Sequence, residues 1–219
     1  MAPKPFAPST EFCVLSVPRW GDRRAIRIGL LGGSFNPAHG GHLQVAQLAR
    51  RHLRLGQVWL LVSPGNPLKP RHGMAPLSQR LASARAIADG RRIIATDIER
   101  ALGTRFTRDT LRALHTRFPR ARFVWLMGAD NLAQMPRWRD WMAIARETQI
   151  AVLPRPTYNH RALAARAARR LRPSRIAASR APALALLPAP SWVFLQVRQN
   201  ALSATAQRDA NPFPAGDRS

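Results

Sequence analysis

The chain has one cysteine, two lysines and eleven acidic residues in 219 positions. Cys13 has no partner for an internal disulfide, which excludes a disulfide-stapled scaffold and reads as a cytoplasmic protein. No uninterrupted apolar run reaches the roughly 18 residues a membrane helix requires, and Pro3, Pro5, Pro8 and Glu11 interrupt the start where a secretory signal would need an apolar stretch. With lysine confined to Lys4 and Lys69, the formal charge of +24 is nearly all arginine. Such an excess suits a nucleic-acid partner, since basic side chains release phosphate counterions. Arginine and alanine richness of this kind also follows from genomic base composition. The densest tract, from Arg161 to Arg180, has seven arginines and no acid. Leu163, Ala164, Ala167, Ala168 and Leu171 lie at helical spacing within it, so its bland reading is a solvated helix face.

What the chain does have is a glycine-rich junction. In Ala25–Leu31, Ile26, Ile28 and Leu30 alternate as in a buried strand, and Leu43, Val45, Ala46, Leu48 and Ala49 recur at helical spacing. Between them runs Gly32-Gly33-Ser34-Phe35-Asn36-Pro37-Ala38-His39-Gly40-Gly41-His42. A strand, a glycine-rich loop and a helix N-terminus make an anion site, because unpaired N–H groups and the helix dipole both favour negative charge. His39 and His42 fall three apart at the helix start, within reach of one anion. Two other readings stay open for the pair: ordinary helix-start residues, or zinc ligands lacking a completed set.

Further strands are expected at 57–62, 93–98, 122–127 and 149–153, with short late ones at 183–187 and 192–195. Strand, helix, strand at this spacing implies parallel pairing through right-handed crossovers, with ligands beyond the carboxyl ends. On that rim fall Lys69 in a Pro-rich loop, Gly128 and Asp130 after the 122–127 strand, and Arg155 after the 149–153 strand. Lys69 is equally an exposed loop charge, and Asp130 equally a cap for the next helix. Leu77–Ala88 reads as a helix stopped by Gly90, with Arg80 facing water or the site. Thr107 reads as a helix N-cap with Leu111 and Leu114 packing behind it. Near the end, Ser203 and Thr205 offer hydroxyls and amides at a helix start, and Arg208 a fixed cation. Residues 1–24 are expected to be a mobile leader, 25–210 one domain and 211–219 a flexible tail.

Gly32 to His42 resembles the H-x-G-H signature of the nucleotidyltransferase superfamily, with Asn36 in place of the usual Asp. Arg105–Leu111, Gly128–Leu132, Trp138, Pro154–Pro156 and Ser203–Arg208 follow in the order found in nicotinate-nucleotide adenylyltransferases, with Phe106 replacing a common Tyr and Gln207 an aliphatic residue. The resemblance implies a Rossmann-like three-layer α/β fold, with a mostly parallel central sheet and helices on both faces. It implies transfer of the adenylyl group of ATP to nicotinate mononucleotide, with Mg²⁺ held by the ATP phosphates and no protein metal ligand. It also implies site roles. His39, His42, Lys69 and Arg208 act on the reacting phosphates. Gly32, Gly33, Ser34, Phe35, Gly41, Gly128, Asp130, Ser203 and Thr205 hold ATP. Thr107, Trp138 and Arg155 hold nicotinate mononucleotide. Pantetheine-phosphate adenylyltransferases and cytidylyltransferases share the histidine signature, and an RNA-binding protein or an inactive enzyme remain as rivals.

Overall fold

A computed structural model describes residues 17, 21–65, 73–155 and 157–197. The remainder of the expected leader, Lys69, and everything from residue 198 onward, including Ser203, Thr205 and Arg208, lie outside the described residues.

Seven strands form one sheet: β1 (Arg27–Gly33), β2 (Gln57–Val62), β3 (Ile93–Thr96), β4 (Arg122–Gly128), β5 (Gln149–Leu153), β6 (Arg175–Ile176) and β7 (Trp192–Phe194). Their order is β3-β2-β1-β4-β5-β7-β6, and every pairing is parallel. The helices are α1 (Gly40–His52), α2 (Leu77–Ile87), α3 (Ile98–Leu102), α4 (Thr107–Arg117), α5 (Ala129–Gln134), α6 (Trp141–Glu147), α7 (Asn159–Ala164) and α8 (Arg166–Arg170).

Alternation along the strands sorts the core into two layers. Leu30, Trp59, Leu61, Phe123, Trp125, Ile150 and Val152 pack against Leu111 and Leu114 of α4, Leu132 of α5 and Ile144 of α6. Their neighbours Leu31, Val58, Leu60, Val124, Leu126 and Ala151 point the other way, toward Ala46 and Ala49 of α1 and Leu81 and Ala84 of α2. A parallel sheet must be covered on both faces, and β2 is buried along its whole length. The result is the expected three-layer α/β fold, with a sheet that is wholly rather than mostly parallel.

Register opens the sheet at one place. β1 pairs with β4 only as far as Leu31 opposite Leu126, but follows β2 up to Gly33 opposite Val62. β4 meanwhile follows β5 up to Gly128 opposite Leu153. The ends of β1 and β4 therefore part, at the point where strand order reverses, and this is where open α/β sheets bind ligands.

Several expectations change. Gly32 and Gly33 belong to β1, not to the loop. β3 stops at Thr96, whose hydroxyl accepts the Ile98 N–H, so Ile98 begins α3. The arginine-rich stretch is two short helices divided at Ala165, not one. The 183–187 strand is instead part of a 3-10 helix over Ala178–Leu186, in which Ala181, Leu184 and Ala185 are buried at helical spacing; Pro182 is tolerated there without a ladder to donate to.

One carboxylate lies beneath this rim. Glu99 is 8% exposed and accepts the Thr110 hydroxyl at 3.1 Å, tying α3 to α4; Ser63, just past β2, also bonds it. Burial outweighs both bonds and lifts its pKa from 4.5 to about 7. The unfolded chain therefore sheds this proton at a lower pH than the folded one, so stability falls as pH rises from 4.5 to about 7, by about 1–3 kcal/mol. Urea denaturation at pH 5 and pH 8 should show this loss in the wild type and its absence in Glu99→Gln; matching losses in both proteins would assign the effect elsewhere.

Candidate functional site

The loop leaving β1 is held by a pair of imidazoles used as helix caps. His39 is the N-cap of α1, and its Nδ1 accepts the Gly41 N–H at 3.1 Å. The His42 Nδ1 accepts the His39 N–H at 3.3 Å. Ser and Glu ordinarily make this reciprocal capping box; here two histidines do, with ring centroids 3.9 Å apart. Both Nδ1 atoms are acceptors, so in the neutral rings the hydrogen resides on Nε2. Phe35, 2% exposed, lies 4.9 Å from the His42 ring and has φ of 48°, a left-handed conformation that costs a non-glycine residue about 1 kcal/mol or more. That bend turns the loop out of the strand and back beneath the histidines.

Arg80 was the residue sequence reasoning undervalued. It is 2% exposed and faces neither water nor open space. Its guanidinium donates to Ser34 O at 2.8 Å, Ser63 O at 2.7 Å and Ala75 O at 2.9 Å, with a longer contact to Pro64 O at 3.5 Å. One side chain thus joins the loops after β1 and β2 to the segment leading into α2. Burial lowers its pKa, but an arginine starts high enough to stay charged. The only sequence signal was its position one turn into a helix that follows the rim.

Asn36 reinforces the same junction. Its Nδ2 donates to Gly73 O at 3.0 Å while its Oδ1 accepts the Ala75 N–H at 2.9 Å. An Asp, which is acceptor-only when ionised, can satisfy just one of these two groups. The departure from the family pattern has a structural role in this chain.

Across the crevice, Asp130 and Arg155 meet, with Oδ1 and Nε 3.3 Å apart. Asp130 makes no cap; Gly128 is the N-cap of α5. A side chain on Gly128 would collide with Asp130 and lie 3.1 Å from Arg155, so glycine is what lets this pair close over the end of β4. Gly32 is constrained likewise, since a Cβ there would come within 2.8 Å of the Trp125 ring. Trp125 in turn meets Trp138 edge to face at 6.2 Å.

Thr107 corrects one expectation. It is the first residue of α4, not its cap; Phe106 holds the cap position and no side chain bonds there. Arg108 and Asp140 pair at 2.7 Å and Arg139 lies 4.7 Å from the Phe106 ring, so the segments carrying Thr107 and Trp138 are fastened together. Among the described residues, then, Gly32 and Gly33 close β1 and Ser34, Phe35, His39, Gly41 and His42 follow it, Gly128 closes β4 with Asp130 and Arg155 beyond β4 and β5, and Thr107 and Trp138 lie on joined segments.

An open parallel sheet with a crevice at its switch point is the architecture of nucleotide-binding α/β enzymes, and comparison with known proteins places the chain in such a family. The cytidylyltransferase-like family model matches residues 30–210, and the chain belongs to that family. Within it, the chain is 59% identical over 193 residues to a protein of Gluconacetobacter diazotrophicus named "probable nicotinate-nucleotide adenylyltransferase", covering 88% of this chain and 90% of that one. A protein of the same name from Gluconobacter oxydans is 58% identical, with 86% and 96% covered. The Plasmodium falciparum nicotinic acid mononucleotide adenylyltransferase complexed with NaAD shares the fold at a TM-score of 0.62 and 15% identity, covering 84% of this chain and 83% of that one.

Removing the Arg80 side chain orphans several buried carbonyls at once. Arg80→Met should cost about 3–5 kcal/mol in chemical denaturation, and Asn36→Asp about 1 kcal/mol through loss of one donor. An Arg80→Met protein as stable as the wild type would show the carbonyls to be satisfied otherwise.

Proposed function

We propose that this chain transfers the adenylyl group of ATP to nicotinate mononucleotide, producing deamido-NAD and pyrophosphate in NAD biosynthesis, as a cytoplasmic enzyme. The observation that carries the reading is the histidine capping pair at the start of α1, where a helix N-terminus, two imidazoles and the bent loop leaving the glycine-rich end of β1 come together. High identity to relatives named for this activity supports the choice of substrate branch over the other families sharing the histidine signature.

The nucleophile is a phosphate oxygen of the mononucleotide, ionised at neutral pH, so no general base is needed. It attacks the α-phosphorus in line; the bond to the β-phosphate oxygen breaks and pyrophosphate leaves with that electron pair. Catalysis then consists of alignment and stabilisation of charge. His42 donates to the α-phosphate oxygens as charge builds there, and His39 holds the triphosphate alongside. Gly32 and Gly33 at the end of β1, Ser34 and Phe35 in the loop and Gly41 in the first turn of α1 hold ATP. Gly128 gives access at the end of β4, where Asp130 accepts from ribose hydroxyls. Lys69, Arg208, Ser203 and Thr205 serve the departing phosphates.

On the acceptor side, the α4 start at Thr107 receives the pyridine carboxylate, because a helix N-terminus favours an anion. Trp138 offers its indole face to the cationic pyridine ring. Arg155 grips the mononucleotide phosphate from a position beside Asp130, with which it forms an ion pair at the end of β4. Among the described residues no three His, Cys, Asp or Glu side chains cluster as a metal ligand set. The donors at this crevice suit phosphate, and Asp130 is paired with Arg155; a Mg²⁺ would be held by the ATP phosphates and would supply charge neutralisation there.

His42→Ala should lower kcat by about 100- to 1,000-fold while the protein still folds, with loss of the cap costing about 1 kcal/mol. Pyrophosphate release from ATP, followed with nicotinate mononucleotide and with other phosphorylated acceptors in turn, checks both the role and the substrate. Turnover near wild type would refute the role of His42; release with a different acceptor alone would refute the assignment.

A further inference from the structure

We propose that the surface formed by α7, α8 and the edge strand β6 binds single-stranded nucleic acid, separately from the β1/β4 crevice. The sequence holds no Asp or Glu between Glu147 and Asp209, yet the seven arginines from Arg161 to Arg180 lie there, and all seven are exposed. The ion pairs formed among the described residues lie elsewhere: Arg24, Arg100, Arg108, Arg139 and Arg155 each face a carboxylate, whereas none of the seven does. A strongly basic chain gains nothing in stability from concentrating like charge on one edge, where repulsion opposes folding.

The placement is ordered. Arg166, Arg169 and Arg170 share one face of α8, because positions three and four apart are neighbours on a helix. Ala167, Ala168 and Leu171 are buried on the opposite side. α7, which carries Arg161, packs against α8. Arg175 lies on β6, the last strand of the sheet, with its guanidinium 5.3 Å from the ring of Trp192. Just before α7 stands Tyr158, the sole tyrosine of the chain and 44% exposed.

These features select the partner. Guanidinium binds phosphate bidentately and stacks on bases, and an exposed aromatic ring gives a base a platform; a basic track with such a ring is how single strands are held without sequence preference. Helices of six and five residues are too short to read a duplex groove. A lipid surface fits less well, since Tyr158 and Leu186 are the only large exposed hydrophobics among the described residues and provide no continuous apolar face to insert.

The test is fluorescence polarisation of the full chain with a labelled 20-nucleotide single-stranded RNA over a salt series. Arg166→Glu/Arg169→Glu/Arg170→Glu should weaken binding at least 10-fold and reduce the slope of log K against log salt by about 2, as loss of three phosphate contacts requires. The control Arg51→Glu/Arg85→Glu/Arg91→Glu makes an identical charge change at exposed positions elsewhere and should weaken binding less than 3-fold. Tyr158→Ala should reduce affinity for the single strand more than for a duplex of the same length. Adenylyl transfer should persist in both triple variants, and saturating ATP should not displace the RNA. Equal weakening by the two triples, displacement by ATP, absence of RNA binding in the wild type, or tighter capture by anionic phospholipid vesicles would each overturn the proposal. Should the glutamate triple fail to fold, the corresponding glutamine triple is read by the same criteria.

Discussion

A buried guanidinium with carbonyls for partners fixes the geometry of the crevice. Backbone oxygens at the ends of two neighbouring strands would ordinarily turn to water, and the loops that carry them would wander with it. Arg80 collects Ser34 O and Ser63 O at 2.8 and 2.7 Å and adds Ala75 O from the approach to α2. Hydrogen bonds from a charged donor are stronger than neutral ones, and three in a planar fork set orientation as well as distance. Because Ser34 immediately precedes the left-handed bend at Phe35, its carbonyl position determines where the histidine loop begins. Asn36 then closes the same circuit from the other side of the bend, through Gly73 and Ala75.

This anchoring explains why imidazoles can serve as caps. A histidine at an N-cap is a poor substitute for Ser or Asp unless the ring is brought to the amides by something else. Here Phe35, packed under His42, and the fixed loop origin bring both rings into register. The cap then consumes Nδ1 of each ring, which defines the tautomer and directs donor capacity to Nε2. One arrangement thereby satisfies orphan amides of α1 through Nδ1 and, in the proposed reaction, would leave chemistry to the other ring nitrogen of the same side chains.

The regular parts of this structure were legible because their signals are local. β2, β4 and β5 are continuous apolar runs bounded by turn residues, and they lie where the pattern put them, β4 extending one residue further to Gly128. The glycine-rich junction was legible as a strand running through a loop into a helix N-terminus, although the glycines themselves complete β1. What failed was decided by tertiary context. Ala183–Leu187 is apolar enough for a strand, but Pro182 and the spacing of Ala181, Leu184 and Ala185 suit a 3-10 helix lying on the sheet. Thr107 has the residue type of a cap, but Arg108 and Arg139 fasten the start of α4 to the Trp138 segment and place Thr107 inside the first turn. Arg80 carried no distinguishing pattern at all, because a helix arginine that gathers carbonyls from three loops looks in sequence like one that faces water.

The charge distribution bears on how such a site achieves selectivity. A chain with a formal charge of +24 attracts every phosphorylated metabolite, and the attraction is blunted beyond a Debye length of about 8 Å at physiological salt. Long-range steering raises encounter rates for ATP and for its competitors alike, so it cannot choose among them. Choice must come from contacts that are short, directional and already paid for in the folded state. At the β1/β4 crevice the groups already held in this way are the capped imidazoles, the Arg155–Asp130 pair over Gly128, and the Trp138 ring set against Trp125. Arg155 beside the crevice and Arg108 on the Thr107–Trp138 fastening are each paired with a carboxylate, whereas the seven arginines from Arg161 to Arg180 face none. A carboxylate partner restricts where the Arg155 and Arg108 guanidinium groups lie, so their charge is directional rather than diffuse.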